Sequence, residues 1–131
     1  RQSTPWLTER HGYDPTYLLD DAIMLVTNLF YDFVLTKTTP ERIDAYLEQT
    51  SSTEIAKIRQ MILDEWTKIL IAQKQNSQSM VIVSDEVGLG VVPATKQTRI
   101  LRDLYGEVNQ LIAKKADDVY FVISGLVQKI K

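Results

Sequence analysis

One ten-residue stretch, Ser84-Asp85-Glu86-Val87-Gly88-Leu89-Gly90-Val91-Val92-Pro93, constrains the fold of this chain more than any other. It follows a run of strand character, Met80–Val83, and precedes a helical pattern that opens near Lys96. A strand that ends in carboxylates, then a glycine-flexed loop, then a helix is how open α/β sheets present a site. Ligands in such folds sit at the carboxyl ends of the strands, where loops wrap them. The 131 residues contain no G-x-x-x-x-G-K-[ST] phosphate loop, although the rest of the pattern asks for one.

The remaining segments alternate in the same sense. Pro5–Thr8 is a short apolar piece suited to an edge strand, and Gly12–Pro15 reads as a turn. Thr16–Leu19 reads as a buried strand closing on Asp20-Asp21, and Ala22–Leu35 as a helix covered on most sides. Thr39 is placed to cap a helix that has Pro40 in its first turn and runs to about Gln49. Ser51-Ser52-Thr53-Glu54 has capping-box spacing. The helix it opens, to about Gln73, carries the stripe Ile55, Ile58, Ile62, Trp66 and Ile69, with Asp64 and Lys68 facing each other outside.

After the Met80–Val83 strand and the Ser84–Thr95 loop, a helix spans Lys96–Lys115. Its apolar face is Ile100, Leu101, Leu104, Tyr105, Val108, Leu111 and Ile112. Asp118–Ile123 reads as a strand of buried character, Ser124-Gly125 as a turn, and Leu126–Ile130 as a last short strand. The alternation predicts one α/β domain over residues 1–131, with a largely parallel sheet, flanking helices and right-handed crossovers.

Bulk properties exclude several classes. The net charge of −2 offers no electrostatic footprint for nucleic acid. The apolar runs Ala22–Val26 and Leu29–Leu35 are too short to span a bilayer. The chain has no cysteine, which excludes disulfides and thiolate metal sites and fits a reducing compartment, here the cytoplasm. It opens on Arg1 with no signal-peptide pattern, as a chain trimmed at its amino end would.

Two readings stand at each chemical candidate. Asp20 at a strand end suits Mg²⁺ beside a phosphate, whereas local sequence favours Asp20 or Asp21 as a cap for the helix at Ala22. Both hold if Asp21 caps and Asp20 points into the site. Asp85 and Glu86 form a second strand-end pair. Gly88 and Gly90 permit either close backbone approach to a ligand or ordinary turning. The polar face of the Lys96–Lys115 helix carries Arg99, Arg102, Asp103, Asn109 and Gln110. Gly106 among them marks either a close approach by a ligand or another subunit, or a solvated face with one unfavourable glycine. The single histidine, His11, reads as a surface residue, and Trp6 and Trp66 as core.

From Met80 to Lys131 the sequence resembles the bifunctional adenosylcobinamide kinase / adenosylcobinamide-phosphate guanylyltransferase family of cobalamin biosynthesis. The match is carried by Glu86-Val87-Gly88-Leu89-Gly90-Val91-Val92-Pro93, by Arg102-Asp103, Gly106 and Asn109, by Ala116–Val119, by Val122–Gly125 and by Lys129–Lys131. Leu18-Leu19-Asp20 and Val26–Leu29 form a second, weaker block.

The resemblance implies a RecA-like P-loop nucleotide-binding fold whose first strand and phosphate loop lie before Arg1, and a homotrimer. It implies phosphorylation of cobinamide by a nucleoside triphosphate, ATP or GTP. It further implies transfer of GMP from GTP to cobinamide phosphate, through a guanylylated histidine, to give GDP-cobinamide. That histidine falls upstream of Arg1, and His11 is not its counterpart, so no catalytic residue is expected in these residues. Asp20, where relatives carry Glu, would hold Mg²⁺. Glu86, Gly88 and Gly90 would line the nucleotide or cobinamide site, with Arg99, Arg102 and Asn109 near a phosphate or a subunit contact. Ser84-Asp85 replaces a Thr-Asn pair of some relatives. The expectation is therefore that this piece alone catalyses neither step. The competing readings are a non-catalytic binding or assembly module that has lost its phosphate loop, and a different P-loop kinase with a convergent loop.

Overall fold

The computed structural model describes residues 16–87 and 95–131. The expected edge strand at Pro5–Thr8, the turn at Gly12–Pro15, His11, Trp6, Gly88 and Gly90 lie outside those residues. Along the described chain run β1 (Thr16–Asp20), α1 (Ala22–Val34), a 3-10 turn (Pro40–Arg42), α2 (Ile43–Gln49), α3 (Ser52–Gln75), β2 (Ser79–Val83), α4 (Lys96–Lys115), β3 (Tyr120–Ile123) and β4 (Leu126–Lys129).

Local chemistry explains most of the boundaries. The Asp21 carboxylate accepts from the Met24 amide at 2.7 Å and so caps α1. Ser51 Oγ does the same for the Glu54 amide at 3.1 Å, opening α3 where the capping-box spacing predicts. Thr95 caps α4 through the Thr98 amide at 3.2 Å. Thr39 does not cap: no side-chain bond closes that end, and the chain enters α2 through the 3-10 turn at Pro40. Ser124 and Gly125 both have positive φ, 51° and 77°, the requirement of a tight two-residue hairpin turn.

The core is built from one stripe of each long helix. Val26, Leu29, Phe30 and Val34 of α1 meet Ile58, Ile62, Trp66 and Ile69 of α3 and Leu101, Leu104 and Val108 of α4. All seven apolar positions expected on α4 lie in this cluster or pack against it. Helix α1 departs from the expectation of near-complete cover, because Met24, Asn28 and Asp32 stay exposed at four-residue steps. A bond of 2.7 Å between Thr27 Oγ1 and the Tyr105 hydroxyl ties α1 to α4, and Gln97 Nε2 donates to the Tyr31 hydroxyl beside it. The expected Asp64–Lys68 pair does not form. Gln60 donates to Asp64 at 2.9 Å instead, and Lys68 lies 3.9 Å from Glu65, one residue nearer along the helix.

Among the described residues the sheet is smaller than expected. β1 and β2 pair in parallel with Thr16 opposite Ser79 and Asp20 opposite Val83, and the three intervening α-helices with the 3-10 turn form the crossover. β3 and β4 do not join this sheet; they pair with each other as an antiparallel hairpin. Neither expected buried strand is buried throughout. In β1 and β2 the side chains of Tyr17, Leu19, Met80 and Ile82 pack on the core, while Leu18 on the other face is 63% exposed. In the hairpin Val122, Leu126 and Val127 are all more than half exposed. Lys131 fastens the hairpin to the body, its ammonium donating to the carbonyls of Ala113 and Lys114 at 3.0 and 3.1 Å and satisfying the end of α4.

Candidate functional site

Parallel pairing fixes where the acidic strand ends lie. Because Asp20 stands opposite Val83, β1 and β2 finish at the same edge of the sheet, and Ser84-Asp85-Glu86 continues from that edge. Side chains alternate across a strand, so Asp20 shares a face with Leu18, Val81 and Val83, opposite the face that meets the helices. Asp20, Asp85 and Glu86 are all exposed there. Asp21, one residue on, is committed to its cap on α1, a bond in which Asp20 takes no part.

Helix α4 supplies the next part. Arg99, Arg102, Gly106 and Asn109 fall within one face, since steps of three and four residues return to the same side of a helix. At Asn109 this face reaches the strand-end loop. The Asn109 side-chain amide donates to the Asp85 carbonyl at 2.8 Å, while its oxygen accepts from the Ser84 hydroxyl. Leu104 and Val108, both buried, hold this turn of the helix against the core. A Cβ placed on Gly106 would meet no atom within 4 Å, so nothing described in this chain closes over the glycine. Arg99 is exposed and Arg102 half-buried on the same face.

The structure thus brings Asp20, Glu86 and Asn109 to one sheet edge. Ser84, which the resemblance marks only as a replacement for the Thr of some relatives, turns out to bond this helix. The hydroxyl that makes the bond is the feature Ser shares with the Thr of those relatives. Among the described residues, no three His, Asp or Glu side chains converge as a self-sufficient metal cage requires. Nor is any described helix long and apolar enough to cross a membrane.

A parallel strand pair covered by helices on one face, with acidic loops at its carboxyl edge, defines an α/β protein of the kind that binds ligands at strand ends. Within that class the assignment is specific. The profile of the family described as cobinamide kinase / cobinamide phosphate guanyltransferase matches residues 2–130, and the chain belongs to this family. It is 33% identical over 114 residues to the bifunctional adenosylcobalamin biosynthesis protein CobU of Escherichia coli strain K12, a match covering 87% of this chain and 57% of that protein. It is 37% identical over 120 residues to the protein of the same name from Salmonella typhimurium strain LT2, covering 90% of this chain and 59% of that protein. The chain therefore spans less than two thirds of the length of these curated relatives.

Proposed function

We propose that the protein containing this chain acts in cobalamin biosynthesis, phosphorylating cobinamide with ATP or GTP and then transferring GMP from GTP to cobinamide phosphate. Family membership supplies the reaction class. The observation that carries the reading to these residues is the parallel register of Asp20 with Val83, which gathers the acidic strand ends at one edge. In this reading the fold is RecA-like, and its phosphate loop and guanylylated histidine lie before Arg1. The complete protein is a cytoplasmic homotrimer.

The donor set fits Mg²⁺ delivered with a nucleotide. That ion keeps several waters and takes only one or two protein carboxylates besides the substrate's phosphates, so the absence of a three-residue cage among the described residues is no obstacle. Asp20 would hold it, and when bound it would offset charge on the phosphate oxygens. Glu86, with Gly88 and Gly90, would line the nucleotide or cobinamide pocket, and Arg99 and Arg102 would face a phosphate or a neighbouring subunit.

The test is direct. The complete protein, incubated with cobinamide, Mg²⁺ and ATP or GTP, should yield cobinamide phosphate and then GDP-cobinamide by mass spectrometry. Nucleotide binding without either product would favour a different kinase, and the lack of both would favour a non-catalytic module. The 131-residue piece alone should form no covalent adduct with labelled GTP; a stable protein-bound guanylyl group would move the nucleophile into this chain.

A further inference from the structure

We propose that Asn109 is a positioning residue, a clamp that fixes the Ser84–Glu86 segment at the sheet edge and thereby sets the placement of Glu86. The proposal rests on the reading of Glu86 as a site residue given above. The Asp85 carbonyl can only accept a hydrogen bond, so the Asn109 NH₂ must face it, at 2.8 Å. That leaves Oδ1 for the Ser84 hydroxyl, which donates to it. One side chain therefore holds two consecutive residues immediately before Glu86, with the oxygen and the nitrogen of its amide each bonded once within the protein.

The clamp has a firm base. Asn109 follows buried Val108 on a helix whose Leu101, Leu104 and Val108 are in the core, while Ser84, Asp85 and Glu86 are exposed beyond the last paired residue of β2. The far end of the loop is fastened separately, by the Thr95 cap. Held between the core and the strand-end segment, Asn109 acts on a ligand by way of the placement it gives Glu86.

The experiment uses the complete protein and three single variants, Asn109→Ala, Asn109→Asp and Ser84→Ala, with the double variant Ser84→Ala/Asn109→Ala. Asn109→Asp keeps the volume and the Ser84 bond but loses the donor to Asp85. Backbone order parameters at Asp85 and Glu86 should fall from about 0.85 to below about 0.6 in Asn109→Ala and Asn109→Asp, with Leu104 and Val108 unchanged. KM, measured separately for GTP and for cobinamide, should rise roughly tenfold for one of the two in Asn109→Ala, the effect of losing two ordinary hydrogen bonds, with kcat nearly constant. The double variant should be no worse than Asn109→Ala, because the Ser84 bond is already gone. A raised KM with unaltered order parameters and a silent Ser84→Ala would make Asn109 a direct ligand contact and overturn the clamp. Loosening of Leu104 and Val108 would reduce it to a fold residue and overturn it equally. If the unmodified protein turns over no cobinamide, the proposed function fails, while the order parameters still decide the clamp.

Discussion

The two sides of this molecule use the same kinds of residue to opposite ends. On the inner side, α1, α3, α4 and one face of β1–β2 shut Phe30, Ile62, Trp66 and Ile69 completely away from water. On the outer side, Leu18 and Val81 of the sheet and Val122, Leu126 and Val127 of the hairpin are more than half exposed. Both sets are aliphatic or aromatic and occur in regular elements. The inner set has partners because helical stripes recur every three or four residues and three such stripes meet. The outer set belongs to strands whose other face or edge has no neighbour among the described residues. An apolar strand thus records a capacity for burial, and whether that capacity is used depends on what lies beside it.

The largest expected effect tests the contrast head-on. Trp66→Ala should lower the unfolding free energy by about 3–5 kcal/mol, since a large cavity would open in a packed interior. Val122→Ser, at a 61% exposed position, should change it by less than about 0.5 kcal/mol in urea titrations of this chain. Equal losses would show that the hairpin is packed after all. The same Val122→Ser pair measured in the complete protein sharpens the point: a markedly larger loss there would show that the missing cover comes from the rest of the protein.

Next comes the pair of adjacent carboxylates. Asp20→Asn in the complete protein should slow cobinamide phosphorylation on the order of 100-fold, the scale of removing one preorganised electrostatic group. Its melting temperature should hardly move, because Asp20 lies on the outer face. Asp21→Ala should behave in the reverse way, costing about 1 kcal/mol through the lost cap on α1 and leaving turnover close to normal. Exchange of these two phenotypes would mean that the duties of the pair have been assigned backwards.

The smallest effect lies in the hairpin. The Lys129 ammonium bonds Asp118 at 2.9 Å and lies 5.8 Å above the Tyr120 ring. That hydrogen bond first, and then the charge of Asp118, raise the lysine pKa above its ordinary 10.5. A raised pKa adds stability that is fully present below 10.5 and disappears as pH climbs through the folded value. The Lys129 side chain is exposed, so solvent screens the interaction and the effect should be slight. Lys129→Met should therefore melt marginally below the parent at pH 8–9, with the difference closing at more alkaline pH; a gap that widens there would contradict the pairing.

Local signals were readable in the residues themselves. The bounds of α4, the Ser51 cap and the Ser124-Gly125 turn each depend on a few neighbouring side chains, and all three appear as their sequence implies. The candidate site was half legible. Asp20 and Glu86 declare themselves as carboxylates at strand ends. The bonds from Asn109 to Ser84 and Asp85 join positions 24 and 25 residues apart, and no local pattern announces them. The failed Asp64–Lys68 pair has a similar cause: several partners lie within reach on an exposed helix face, and the differences among them are small.

Among the described residues the sequence by itself settled which segments become helix or strand and the inward stripe of α4, because capping, turn chemistry and apolar spacing act over a few residues. Helix α1 turned out less covered than expected, and Ile55 fell outside the core cluster that takes Ile58, Ile62, Trp66 and Ile69 of α3. The alternation of elements also called for parallel strands, and β1 and β2 run that way; tertiary structure alone decided the register that sets Asp20 opposite Val83. It also set the last two strands apart as their own hairpin. Pairing between strands is chosen by the whole packed body, and a strand's own residues do not specify which neighbour it will have.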